Sequence, residues 1–269
     1  MEITKSFILE IFKENNLSEK YKDALTSPSA LDLYQTAFTS AGYDPNQNYE
    51  LFEFVGDSIL GESLVWYFYT IFPQLRCTAG IKTLNRLKIK YAASKTFSKI
   101  ALDLKFLPYI RALPEELASD EKKQSLLEDV FEAFAGVTKI ILTERFNFAC
   151  VGNQVITDLV TVIFNKKNIS LEPEKLYDPK TRLKELFDIK TSMNNIFMDF
   201  GAPVYESYHD EESTKTRLYF KKRPDISFLG AGHTLAEREK KTAKQALHWL
   251  QTKGYKVEKQ FAPFCPTQL

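Results

Sequence analysis

The stretch Glu50-Leu51-Phe52-Glu53-Phe54-Val55-Gly56-Asp57-Ser58-Ile59-Leu60 is strongly apolar yet carries three acids. At 100° per residue, Glu53 and Asp57 sit about 40° apart on a helix, and Glu50 lies about 60° from Glu53 on the same side. No lysine or arginine occurs between Lys22 and Arg76 to neutralise them locally. Two readings are open. The acids form one solvated stripe of an amphipathic helix, or they are half-buried carboxylates whose repulsion and desolvation a divalent cation would relieve. A second segment, Leu126-Leu127-Glu128-Asp129-Val130-Phe131-Glu132-Ala133-Phe134-Ala135-Gly136, has the same form, with Asp129 and Glu132 three apart on one face. Two helices that each present two carboxylates can face each other and hold Mg²⁺, with waters completing the octahedron.

Outward from these segments the pattern stays helical as far as residue 165. Apolar residues recur at spacings of three and four in Ile8-Leu9-Phe12 and in residues 51–69, 84–102, 126–142 and 155–164. Breakers separate them: Ser27-Pro28-Ser29, Asp44-Pro45-Asn46, Pro73, Pro108 and Pro114. The texture then changes. Residues 166–174 are polar and contain Pro173, as a linker would. Asp178-Pro179 opens a helix with a capping acid and a proline in the first turn. Alternation in Val204-Tyr205-Glu206-Ser207-Tyr208 and Thr216-Arg217-Leu218-Tyr219-Phe220 predicts strands. A last helix runs from about residue 236 to 253, with Ala243, Ala246, Leu247 and Leu250 as its buried stripe and Gly254 as its stop.

Composition narrows the function classes. The 269 residues are 44% hydrophobic with only 10 Gly and 11 Pro, which excludes disorder as the main content. Cys77, Cys150 and Cys265 form no C-x-x-C pair, and His209, His233 and His248 are scattered, so neither a disulfide framework nor a zinc site is written here. Any metal must be a hard cation held by oxygen. The N-terminal residues include Glu2, Glu10, Glu14, Glu19 and Asp23, unlike a secretory or mitochondrial leader. The apolar run at residues 64–72 is about half of what a membrane helix needs. The expectation is an intracellular, cytoplasmic chain with no membrane partner.

Two motifs now carry a resemblance. The string from Glu50 to Leu60 resembles the signature of the ribonuclease III family, and Leu127 to Gly136 resembles that family's second catalytic motif. Ala37-Phe38-Thr39 and Ser94-Lys95-Thr96-Phe97 are further matches. Asp178 to Leu186 is similar to the opening helix of the double-stranded-RNA-binding domain that follows the nuclease domain in the family, and Gly230-Ala231-Gly232 before an Ala-rich helix resembles its close. Coverage is most of residues 30 to 255. The fold this implies is an all-α nuclease domain over residues 1–166, a linker at 167–177, a small α+β (α-β-β-β-α) double-stranded-RNA-binding-like domain at 178–255, and a tail at 256–269.

The resemblance implies roles residue by residue. Glu53, Asp57, Asp129 and Glu132 match the carboxylates that hold catalytic Mg²⁺ (Mn²⁺ substituting), with Glu132 most closely tied to cleavage. Glu50 matches a supporting acid. Phe54 matches an aromatic knob that inserts into the partner subunit of a homodimer. The implied activity is Mg²⁺-dependent hydrolysis of double-stranded RNA to 5′-phosphate and 3′-hydroxyl ends with short 3′ overhangs.

A net charge of +1 hides an uneven distribution. Residues 76–105 hold eight basic side chains against Asp103 alone, which makes this segment a candidate flank for the duplex. Arg86, Lys88, Lys90 and Lys95 are its candidate RNA-binding residues. In the second domain the candidates are Lys180, Lys184, Arg238 and Lys241, but the pattern departs from its family. Lys184 stands where glutamine is usual, the loop after His209 is acidic (Asp210, Glu211, Glu212), and Leu235, Ala236 and Glu237 occupy the positions of a lysine pair. Weak or absent RNA binding by this domain alone is expected. The competing readings are a non-catalytic component of a ribosome or RNA-processing complex, and a protein that sequesters duplex RNA.

Overall fold

Eight helices of the first unit precede any strand: α1 (Lys5–Ile11), α2 (Glu19–Leu25), α3 (Pro28–Ala37), α4 (Glu50–Ile71), α5 (Ile81–Tyr91), α6 (Ser94–Asp103), α7 (Asp120–Phe146) and α8 (Ala149–Asn165). This computed structural model describes residues 1–188, 196–209 and 214–255. The first compact unit spans Met1–Ile169 and the second begins at Ser170.

Local chemistry sets the helix ends. The Ser27 hydroxyl accepts the Ala30 amide at the start of α3, with Pro28 in the first turn. The Ser119 hydroxyl accepts the Lys122 amide to open α7, Asp120 and Glu121 lie in its first turn, and Asn147 closes it at φ 48°. The apolar run 84–102 is two helices: Ala92 ends α5 and Ala93, at ψ 147°, turns the chain into α6.

α7 is the central helix, packed by α2, α3, α4, α6 and α8. Its residues 130–138 are buried without interruption, so it has no polar face there. Around it lies an aromatic core in which the Phe38 and Phe106 rings are 4.8 Å apart and the Phe106 and Phe134 rings 5.3 Å. Burial of each such side chain contributes roughly 1.5–3 kcal/mol as an upper bound. α4 is apolar on two sides. Phe52, Ile59, Leu60, Leu64 and Phe68 are buried, while Leu51, Phe54, Val65, Trp66 and Tyr69 are exposed.

The second unit contains α9 (Pro173–Leu176), α10 (Pro179–Asp188), α11 (Ile196–Phe200), β1 (Pro203–His209), β2 (Thr214–Phe220), β3 (Arg223–Ala231) and α12 (Leu235–Thr252). The strands form an antiparallel sheet in the order β1-β2-β3, with Tyr205 opposite Leu218 and Leu218 opposite Phe228. α10 and α12 bring Leu183, Leu186, Ala243, Ala246 and Leu250 onto Leu218 and Phe220. Thr234 and Glu237 form a reciprocal capping box at the start of α12. The expected helix, strands, helix order is present. α9 forms a single turn inside the segment expected as linker, and Leu176 and Tyr177 are buried. No described helix is long and apolar enough to cross a membrane. The acidic residues Asp210 to Glu212 and the tail 256–269 lie outside the described residues.

Candidate active site

Two glycines place the carboxylates. A Cβ added to Gly56 of α4 would overlap the backbone carbonyl of Glu132 in α7, and one added to Gly136 would overlap the carbonyl of Phe52. Residue 56 thus meets 132 and residue 52 meets 136, so the two helices run antiparallel with their backbones in contact. Helices carrying full side chains stay about 8–10 Å apart; closer approach needs residues without a Cβ. The crossing turns Glu53 and Asp57 of one helix toward Asp129 and Glu132 of the other.

The electrostatics show how near these groups are. Burial, then Asp57, Glu128, Glu53 and Asp129, push the Glu132 carboxyl up to about 8. Burial, then Asp129, Glu50, Glu128 and Asp57, push Glu53 up to about 7. Asp129 is also raised by burial, against the effect of a hydrogen bond from the Tyr49 hydroxyl to its Oδ2 at 3.0 Å. Glu132 is only 8% exposed. Among the described residues no basic side chain forms an ion pair with any of Glu53, Asp57, Asp129 or Glu132. Buried carboxylates held together without a cation are destabilising on their own.

As placed, no group of three or more His, Cys, Asp or Glu among the described residues is close enough to hold a metal ion directly. That spacing excludes a closed cage. The donor set still fits a hard cation such as Mg²⁺, which keeps several of its waters and takes one or two carboxylates directly. Glu50 is exposed at the rim and acts on Glu53 through its charge. Glu128 and Tyr49 are participants that sequence reasoning passed over. Glu128 is half-buried and raises Glu53, Asp129 and Glu132. Its place beside Asp129 in an apolar run is a signal for it, whereas nothing in the sequence marks Tyr49.

The remaining candidates fall into three groups. Phe54 projects from α4 at 77% exposure. Of the basic flank, Lys88 and Lys95 are exposed and Arg86 and Lys90 half-buried. A Cβ at Gly61, one turn beyond Asp57, would lie 3.1 Å from the Lys88 Cε, so this lysine reaches across α4. In the second unit three of the four basic candidates, Lys180, Arg238 and Lys241, are bonded within the unit. Arg238 is buried, donating to the carbonyls of Gly232 at 3.0 Å and His233 at 3.4 Å and to the Thr216 hydroxyl. Through these acceptors it ties β2 to the β3–α12 turn. Lys180 pairs with Glu239 at 2.6 Å over the Tyr205 ring. Lys241 donates to the Ala231 carbonyl at 2.7 Å, and Lys184 is exposed without joining any of these groups.

Comparison with known proteins gives the family. A family model described as "Ribonuclease III domain" matches residues 50–140, the segment that holds both carboxylate pairs. The chain is 32% identical over 252 residues to a "Putative ribonuclease 3" of Invertebrate iridescent virus 6, covering 88% of this chain and 84% of that one. It is 36% identical over 224 residues to a "Putative ribonuclease 3" of Frog virus 3 (isolate Goorha), covering 83% of this chain and 57% of the other. A "Ribonuclease 3" of Limosilactobacillus reuteri is 30% identical over 236 residues, covering 82% and 91% of the two chains.

Proposed function

The chain belongs to the ribonuclease III family, and from that membership we propose that it is an endoribonuclease that hydrolyses double-stranded RNA at the carboxylate cluster between α4 and α7. The observation that carries the reading is the facing of Glu53 and Asp57 against Asp129 and Glu132 across a glycine contact, with no basic residue among the described residues in an ion pair with them.

In this reading Glu53, Asp57, Asp129 and Glu132 would hold Mg²⁺, for which Mn²⁺ substitutes, one or two of them directly and the others through its waters. When bound, the cation supplies a water of lowered pKa and counter-charge for the phosphate. The chain's own part is to keep oxygen donors close and poorly solvated, so that a cation replacing their protons relieves their mutual repulsion. Glu132, the most strongly raised, is the residue whose loss should be felt most. Lys88 and Lys95 on the adjoining helices meet backbone phosphates and set the register of the duplex. Hydrolysis adds water to phosphorus and releases the 3′-oxygen as a hydroxyl, leaving a 5′-phosphate.

Phe54 and its exposed neighbours on α4 give a second copy of the chain a surface to bury, and two copies supply one site per strand. The second unit makes a minor contribution to the grip on RNA, since Lys180 and Arg238 are engaged internally. That engagement also favours a protein-contact role for this unit, the one feature that speaks for an assembly function.

The test is long duplex RNA incubated with the protein and Mg²⁺, with EDTA and Glu132→Gln as controls. Cleavage by the intact protein that both controls abolish supports the reading. Duplex left uncut by the intact protein overturns it.

A further inference from the structure

We infer that Tyr49 is a positioning residue for the carboxylate cluster: its phenol fixes Asp129 in one orientation and leaves the second carboxylate oxygen for a cation. The inference rests on the reading of Asp129 as a metal-holding residue.

The geometry is a direct link between the two acid pairs. The Tyr49 hydroxyl donates to Asp129 Oδ2 at 3.0 Å. Its carbonyl accepts the amide of Glu53 at 2.9 Å, and its own amide donates to the carbonyl of Thr39 at 2.9 Å. One residue therefore holds the backbone of the first acid pair and the side chain of the second. The anchor behind it is firm. Thr39 pairs with Arg111 in a short parallel bridge, flanked by hydrogen bonds from the Arg111 amide to Phe38 and from the Ser40 amide to Arg111, both 2.8 Å. The Ser40 hydroxyl in turn donates to Glu116 at 2.8 Å.

The chemistry suits positioning. An ionised carboxylate offers about four lone-pair sites on two oxygens, so one phenol occupies Oδ2 and leaves Oδ1 open. A phenol, whose ordinary pKa is about 10, keeps its proton and donates at neutral pH. Without it Asp129 would stand half-buried beside Glu128 and facing Glu53, with no hydrogen bond to select its rotamer. Outer-shell partners of metal-holding groups typically cost about 10–100-fold in metal affinity when removed.

A stabilising tyrosine hydrogen bond with no effect on the site is the rival account, and the molecule supplies its own control. The Tyr34 hydroxyl bonds the Thr138 hydroxyl of the same helix α7 at 2.8 Å, fully buried and away from the acids. Mn²⁺ binding to the full-length protein, followed by electron paramagnetic resonance without RNA, separates the two. Tyr49→Phe is expected to weaken Mn²⁺ binding about 10-fold or more. The Mg²⁺ concentration for half-maximal cleavage should rise by a similar factor with KM for duplex RNA unchanged. Tyr34→Phe is expected to lower Tm and bind Mn²⁺ as the unaltered chain does. The inference is overturned if Tyr49→Phe binds Mn²⁺ normally, or if Tyr34→Phe weakens binding equally. If Glu132→Gln and the unaltered chain take up Mn²⁺ alike, the site reading itself fails and takes the inference with it. If Glu132→Gln loses the ion and Tyr49→Phe does not, only the inference fails.

Discussion

Gly56 rests directly on the backbone carbonyl of Glu132, so a methyl group at residue 56 would occupy the space of that oxygen. The obstacle is backbone and cannot rotate away. Gly56→Ala should therefore separate α4 from α7 and destabilise the chain by about 1–3 kcal/mol or more. Gly61, on the same helix and also buried, is a contrast, because a Cβ there meets only the flexible end of Lys88. Gly61→Ala should be neutral or stabilising, by about 0.5–1 kcal/mol from helix propensity. Thermal unfolding of both variants checks this. Equal Tm values for the two would mean that the glycine contact does not set the helix spacing.

Metal-free stability should fall as pH rises. Glu53 and Glu132 are held at about 7 and about 8 in the folded chain, against about 4.3 when unfolded. Between those limits the folded state binds more protons than the unfolded one, so the stabilisation is complete below pH ~4.3 and is lost as pH climbs through the folded values. Mg²⁺ replaces those protons. It should raise Tm strongly at pH 8 and little at pH 5, and Glu132→Gln should flatten the metal-free slope. A Tm profile in EDTA that is just as steep for Glu132→Gln would sink this account.

How far the sequence could be read depended on whether a signal was local. The acid pairs at spacings of three and four and the apolar runs around them were visible because helix geometry fixes which residues share a face. The break at Ala92–Ala93 was hidden, since neither residue is a breaker and the turn comes from backbone dihedrals alone. Tyr49 was hidden because its partner is 80 positions away. The surroundings of Arg238 are hidden for a related reason: a basic residue near the start of a helix gives no sign in sequence of the Gly232 and His233 carbonyls it donates to. Charge is legible in sequence, but whether a charge is already occupied is decided by packing.

Phe54→Ala should shift the chain toward monomer. On α4 the exposed residues Leu51, Phe54, Val65, Trp66 and Tyr69 fall within an arc of about 120°. This stripe is the surface that the proposed dimer would bury. A two-fold contact uses Phe54 twice, at about 1.5–3 kcal/mol per buried side chain, which weakens self-association by roughly 10²–10⁴-fold when both are lost. Light scattering across a concentration series reads this directly. A mass that is monomeric for the unaltered chain at every concentration would remove the dimer from the proposal.

Charge reversal should locate the grip on RNA. Lys88→Glu with Lys95→Glu, both exposed, should weaken duplex binding and reduce the slope of log K against log salt by about 2, near 0.9 per phosphate contact. Lys241→Glu with Lys244→Glu should change that slope much less, because Lys241 already donates to the Ala231 carbonyl. Arg238→Ala would mislead if read as a contact. Removing a buried guanidinium leaves the Gly232 carbonyl and the Thr216 hydroxyl short of a donor, at about 1–3 kcal/mol for each buried group left unpaired. Its effect on RNA should therefore track loss of the second unit's fold by circular dichroism, with the salt slope of the remaining binding unchanged. The assignment of RNA binding to the nuclease unit fails if the second-unit pair produces the larger change in slope.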